Sequence, residues 1–307
     1  TRAAAVDATA AAAAAINENE YDFYKLLATL IGVTGVNLIA KMDDPCGTGP
    51  SGDNGAMLRN FLDVALVLLA HPSIEISTEV LSAWSQLFER TPAVLSSPHA
   101  LPLRGALLHI LTIKLRKWGS PDDSDRSGLV SAFSVFDYDD HEAFLVAYGK
   151  IRGRVTSLIR CLSRADPNVA LQHLGRTVHA LLTGPHATPR DMLRPSTTTL
   201  ATMWSTCFVL SESIATLTDV IVCSVGSYNE VSSGDGNAPR AANESEALLK
   251  PMHDIAHLWF QFAPTDPLLL CQQIVALTAF GSAGYYRRDT ALLGSVLEKL
   301  FVSVTHI

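Results

Sequence analysis

The residues most capable of chemistry fall into three groups. The first is His253-Asp254-Ile255-Ala256-His257, which sets two imidazoles one helical turn apart with an acid between them. That spacing imitates the helix of zinc peptidases, with Asp in the place of Glu. A third ligand is not evident, so a polar helix edge is the simpler reading; a metal hydrolase is the alternative, and stoichiometric zinc would be its signature. The second is Gly47-Thr48-Gly49-Pro50-Ser51-Gly52, a GxGxxG turn of the kind that lets backbone amides approach a pyrophosphate. Asp43-Asp44-Pro45 precedes it where that chemistry requires a strand, so it reads as a surface loop. No GxSxG elbow, HExxH or P-loop occurs, and Asn243-Glu244-Ser245 reads as a helix cap rather than a glycan acceptor. The chain is therefore expected not to be an enzyme and to carry no cofactor or metal of its own.

The third group is cationic. From Lys150 to Arg164 the side chains Lys150, Arg152, Arg154, Arg160 and Arg164 supply five positive charges with no acid between them. Arg160 and Arg164 are one turn apart and share a face, which suits a phosphate-bearing ligand. The internal alternative is an ion-paired face, with Asp137, Asp139, Asp140 and Glu142 just upstream as partners. Tyr285-Tyr286-Arg287-Arg288 adds two rings and two cations, a pattern suited to stacking and phosphate contact.

The elements that position these groups read as helices. Apolar residues recur every three or four positions, as in Phe23, Leu26, Leu27, Leu30 and Ile31, and no pair of segments alternates as a hairpin would. Asp166-Pro167 and Asp266-Pro267 each place a capping carboxylate before a proline suited to a first helical turn. Ten helices are expected, at about 19–41, 56–70, 74–90, 98–118, 139–164, 167–183, 197–227, 244–263, 267–281 and 289–307. Short turns make neighbours antiparallel, which is the unit of an α-solenoid. An Ala-rich tail or frayed helix occupies 1–18, a single solenoid occupies 19–307, and loops fall near 43–55, 119–137 and 228–243.

Composition bounds what such a fold does. Of 307 residues 48% are hydrophobic and only 17% charged, against about 25% in an average globular chain, which implies surface that is normally covered. The chain opens on Thr1 and stops within an apolar helix, so it reads as a fragment of a longer protein. A net charge of -7 argues against nucleic acid binding over the whole surface and leaves room for a local basic strip. Five scattered cysteines without a CxxC pair encode neither a disulfide framework nor a zinc module and fit a reducing compartment. No apolar run is long and uninterrupted enough to insert in a membrane.

Taken together, several segments resemble the exportin-5 branch of the karyopherin-β nuclear transport receptors. They are Phe23 to Ala40, Phe61 to the His71-Pro72-Ser73 turn, Trp84 to Arg90, and the acidic-aromatic stretch FDYDDHEAF from Phe136 to Phe144. Arg152, Arg160, Arg164 and Asp166-Pro167 follow in the same order, then Asp266-Pro267-Leu268, Ala276-Leu277, Tyr286-Arg287 and KLFVSVT from Lys299 to Thr305. The resemblance implies an all-α HEAT-repeat solenoid, a right-handed superhelical array forming the central part of a longer receptor. It implies a binding protein that carries structured RNA or phosphorylated protein through the nuclear pore with Ran-GTP, the GTP belonging to Ran, and that shuttles between nucleus and cytoplasm. Nuclear pore proteins are further implied partners. Cargo contacts fall on Arg152, Arg154, Arg160, Arg164, Arg287 and Arg288; Arg152 and Arg287 match arginine positions of the family, whereas Ser157 stands where the family has Glu. A HEAT scaffold that assembles proteins without Ran is the alternative.

Overall fold

The computed structural model describes residues 16–35, 37, 53–90, 92–116, 121, 129–183, 200–232, 238–264, 267–287 and 289–305. These form eleven α-helices, joined by 3-10 and π turns, and no strand is present among them. They are α1 (Glu18–Leu30), α2 (Asp53–Ala70), α3 (Ile74–Arg90), α4 (Arg104–Lys114), α5 (Leu129–Asp137), α6 (His141–Ala165), α7 (Pro167–Thr183), α8 (Leu200–Ser232), α9 (Ala238–Gln261), α10 (Pro267–Ser282) and α11 (Thr290–Thr305). The all-α expectation holds. The Ala-rich start, the GxGxxG turn and Asp266 lie outside the described residues.

Capping side chains fix where helices begin. Asn17 accepts from the Glu20 amide, Ser73 from Ile76, Asp140 from Ala143, Asp166 from Val169 and Asp289 from Leu292, each a short polar residue satisfying an orphan first-turn N–H. Two expected loops change. The stretch 119–137 contains α5, a nine-residue helix too short to show a 3.6-residue period in sequence. The connection near 228–243 shortens, because α8 runs to Ser232 and α9 starts at Ala238. Asn243 to Ser245 therefore lie inside α9 rather than capping it. In the expected helix 19–41, Glu18–Leu30 is α-helical and passes into a π-helical turn over Ile31–Gly35; residue 37 is again helical, and 36 and 38–41 lie outside the described residues.

The chain divides into two compact units, residues 1–158 and 159–307. In the first, α2 packs on α1, α3 and α4, and α3 packs also on α1 and α5. Its core is the set Leu58, Leu62, Leu69, Ile76, Leu81, Trp84 and Leu87, all fully buried. Each such side chain contributes roughly 1.5–3 kcal/mol by leaving water. In the second unit α7 packs on α8 and α9, α8 on α9 and α10, and α10 on α9 and α11. Each helix thus meets the next and the next but one, the contact pattern of stacked helical repeats. One close approach specifies a glycine: a Cβ at Gly226 of α8 would sit 2.8 Å from the Ala283 Cβ just past α10. Gly284 then turns the chain at φ 72, with its N–H donating to Gly281 O at 3.0 Å.

Burial of ionisable groups gives this fold a characteristic alkaline response. Burial pulls the Lys114 ammonium down to about 8 and lowers Lys299. Burial also pushes the Tyr21, Tyr138 and Tyr286 hydroxyls well above the usual phenol range. Between pH 8 and about 10.5 the folded Lys114 has lost its proton while the unfolded chain keeps it, so stability rises with pH, by up to about 3 kcal/mol. Above about pH 10 the unfolded tyrosines ionise while the folded ones do not, and stability falls again. Denaturant midpoints from pH 7 to 11 are expected to pass through a maximum, and Lys114→Met should remove most of the rising limb.

Candidate functional site

The cationic stretch lies on α6, and the helix distributes its charges over different faces. At about 100° per residue, Lys150 falls on the exposed side and Arg154 about 40° round from it, towards one flank of the buried face. Arg152 lies roughly opposite Lys150, on the flank of the face that buries Tyr148 and Val155. Arg154 is half-buried and donates from Nη1 to Thr78 O at 2.9 Å, which ties α6 to α3. Arg160 and Arg164 are both exposed, one turn apart, and neither forms an ion pair among the described residues. Arg160 projects its charge onto Cys223 of α8, whose thiol burial nevertheless raises. Arg164 stands in the last turn of α6, where a cation complements the helix dipole.

Of the upstream acids, Asp137 is committed elsewhere in the fold. It forms an ion pair with Lys25 at 2.8 Å, its side chain only 1% exposed against 35% for Lys25. The Tyr21 hydroxyl donates to Asp137 Oδ2 at 2.5 Å, and Ser73 Oγ donates to the same oxygen at 3.2 Å. His71 Nδ1 accepts from the Ser73 amide at 3.1 Å, which requires an unprotonated Nδ1; burial and the nearby Lys114 charge hold its pKa down accordingly. Tyr138 donates to Glu75 at 2.7 Å. This network joins α1, α3 and α5 through the turn before α3. Sequence reading missed it because its members are separated by up to 116 positions; the only local signal was the acidic-aromatic run beginning at Phe136.

A cavity of about 340 Å³ adjoins that network, lined by Lys25, Thr29, Glu75, Glu79, Phe136 and Asp137, among others. Three carboxylates face one ammonium there, so a phosphate group would meet net repulsion. It is no extension of the basic stretch.

The C-terminal motif is rearranged as well. Tyr285 and Tyr286 are 5% and 6% exposed, packed edge-on or tilted against Phe280, so neither ring is presented for stacking on a ligand. Their hydroxyls lie 2.8 Å from His253 Nδ1 and donate to Leu277 O at 3.0 Å, respectively. The Arg287 side chain and all of Arg288 lie outside the described residues. His253 also approaches Asp289 at 3.6 Å and stacks on His257 with ring centroids 6.0 Å apart. Among the described residues no group of three His, Cys, Asp or Glu is placed to hold a metal ion. No helix among them is long and apolar enough to cross a membrane.

The stacked helix pairs within each unit are those of a helical-repeat protein. The Exportin-5 family model matches residues 18–307, and the chain belongs to that family. It is accordingly an exportin-type nuclear export receptor by family, a class of transport receptors and not of enzymes. No curated protein matches it.

Proposed function

We propose that the chain supplies cargo contacts to a Ran-GTP-dependent nuclear export complex, with Arg160 and Arg164 binding phosphate groups of the cargo. The observation that carries this reading is the pair itself: two exposed guanidinium groups one turn apart on α6, without ion-pair partners among the described residues. Guanidinium forks match phosphate oxygens and keep their charge at every physiological pH. Structured RNA is the cargo class that presents such groups in a regular array. Phosphorylated protein is the other cargo that the chemistry admits. In this reading Arg152 and Arg154 act behind the surface as positioning groups, and Arg287 and Arg288 supply additional cations. The receptor passes the nuclear pore by binding pore proteins and moves between nucleus and cytoplasm.

The test uses the full-length receptor and a labelled RNA hairpin with a 3′ overhang, titrated with and without Ran-GTP at two salt concentrations. Ran-dependent binding that weakens steeply with salt is expected, because each neutralised phosphate releases a counterion. Arg160→Glu with Arg164→Glu should weaken binding at least tenfold and flatten the salt slope by about 1 per lost contact. Unchanged affinity and slope would remove both residues from the interface. Ran binding without RNA binding would turn the cargo assignment to phosphoproteins, and binding to neither would leave a scaffold.

A further inference from the structure

Of the charges around the cavity of about 340 Å³ in the first unit, Lys25 and Asp137 satisfy each other at 2.8 Å. Two carboxylates remain, Glu75 and Glu79, one turn apart on α3 and both lining the cavity. Tyr138 takes Oε1 of Glu75, and neither glutamate forms an ion pair among the described residues. The Glu79 carboxylate accepts no hydrogen bond from them either. Like charges at this spacing repel, so the cavity carries an unbalanced negative potential. Independently of the acids, Phe136 lines the same cavity with a side chain that is 42% exposed. Its ring meets Tyr21 edge-on and keeps a face open to cations, since Lys25 Nζ already stands 5.7 Å from its centroid. Ile76, fully buried, supplies an apolar wall, and the π turn backs Glu79, where a Cβ at Gly32 would stand 3.3 Å from the Glu79 carbonyl oxygen.

We propose that this cavity receives an arginine side chain of a protein partner, its guanidinium stacked on Phe136 and its N–H edges on Glu75 and Glu79. The site shares no residue with the Arg160–Arg164 pair and does not rest on the cargo reading. Size and chemistry select the ligand. A volume of about 340 Å³ lies at the lower end of the roughly 300–1,000 Å³ of small-ligand clefts, which suits one long side chain. A bare metal ion is a poorer match, because no group of three His, Cys, Asp or Glu is placed to hold one among the described residues. Guanidinium is planar, so it lies flat on a ring while its edge donors reach carboxylates; an ammonium is a point charge and cannot do both. Donors and acceptors would both be ionised, which makes each hydrogen bond a strong one. Lys25 does not bar the way, since Asp137 already neutralises it.

The experiment is calorimetric titration of the whole chain with the capped peptide acetyl-Gly-Arg-Gly-amide and, separately, with its lysine counterpart, at constant ionic strength and pH 7. Saturable binding of the arginine peptide is expected, about threefold or more tighter than that of the lysine peptide. Glu79→Gln and Phe136→Leu should each weaken it about threefold or more, the first by removing a charge-assisted contact and the second by removing the ring face while keeping an apolar side chain. Asp63→Asn, which takes the same charge from α2 outside the cavity, should leave it unchanged. Absence of saturable binding, or an equal loss in Asp63→Asn, overturns the proposal. So does equal affinity for the two peptides, which would mean attraction by net charge alone. Should Phe136→Leu fail to fold, Glu79→Gln, which keeps the shape of the side chain, carries the same comparison. The cargo titration with Arg160 and Arg164 variants reads a different interface, so failure here leaves that assignment standing.

Discussion

Replacing Asp137 with alanine is expected to destabilise the unit of residues 1–158 by about 3–5 kcal/mol, the range for removing one partner of a buried ion pair. The size follows from what the carboxylate holds. It is 1% exposed, pairs with Lys25 at 2.8 Å and accepts from Tyr21 and Ser73 at 2.5 and 3.2 Å. Its loss leaves the Lys25 ammonium without its partner and one hydroxyl without an acceptor at the junction of α1, α3 and α5, since Tyr21 and Ser73, with hydroxyl oxygens 2.7 Å apart, can still pair with each other. Because Lys25 is 35% exposed, water partly rehydrates it, which places the expected loss at the lower end of the range. Asp137→Asn, which keeps shape and one acceptor oxygen, should lose less. Adding Lys25→Met to Asp137→Ala should recover part of the loss, since the orphaned charge is then gone. Urea denaturation of the three variants at pH 7 reads these differences. Equal stability of Asp137→Ala and the parent chain would show that the network contributes nothing net.

That network also shows where sequence reading stops. Helix type and order were legible because periodic apolar residues and capping side chains act within a few positions; Asp166 before Pro167 announced α7, and the structure shows its carboxylate on the Val169 amide. Position within the fold was not legible. Asp137 looked like a partner for arginines 15 to 27 residues downstream, and instead reaches back 112 residues to Lys25, a choice made by packing of α5 on α3 rather than by local spacing. Tyr285 and Tyr286 looked like presented rings because the run is polar around them. The left-handed turn at Gly284 folds them back onto Phe280, and a single positive φ is not encoded in the aromatic pattern. The basic run on α6 was visible as composition, but its division between Arg152 on the buried flank and Lys150 on the exposed side follows only from knowing which face the helix buries. Helical phase is recoverable from sequence once Tyr148, Ile151, Val155 and Leu158 are taken together as the apolar stripe.

In the second unit the largest loss is expected at Trp259, where alanine should cost about 3–5 kcal/mol. The indole is fully buried where α8, α9 and α10 converge. Its Nε1 donates to Thr218 Oγ1 at 3.2 Å, and its carbonyl accepts from Gln273 Nε2 at 2.7 Å. Alanine keeps the carbonyl contact and removes the ring, so the effect isolates packing and one hydrogen bond. Thr218 is not orphaned, because its hydroxyl already donates to Ile214 O at 2.8 Å, and the cavity term therefore dominates. Trp259→Phe should lose markedly less, keeping most of the buried surface while giving up the N–H donor. The void left by alanine has the shape of the lost ring and keeps the Thr218 hydroxyl as an acceptor for an indole N–H, so it should accept free indole. Added indole is then expected to raise the thermal midpoint of Trp259→Ala and to leave the parent chain unchanged. A loss below about 1 kcal/mol, read by denaturant titration, would mean that neighbouring helices close over the site, and the rigid convergence of α8, α9 and α10 would have to be given up.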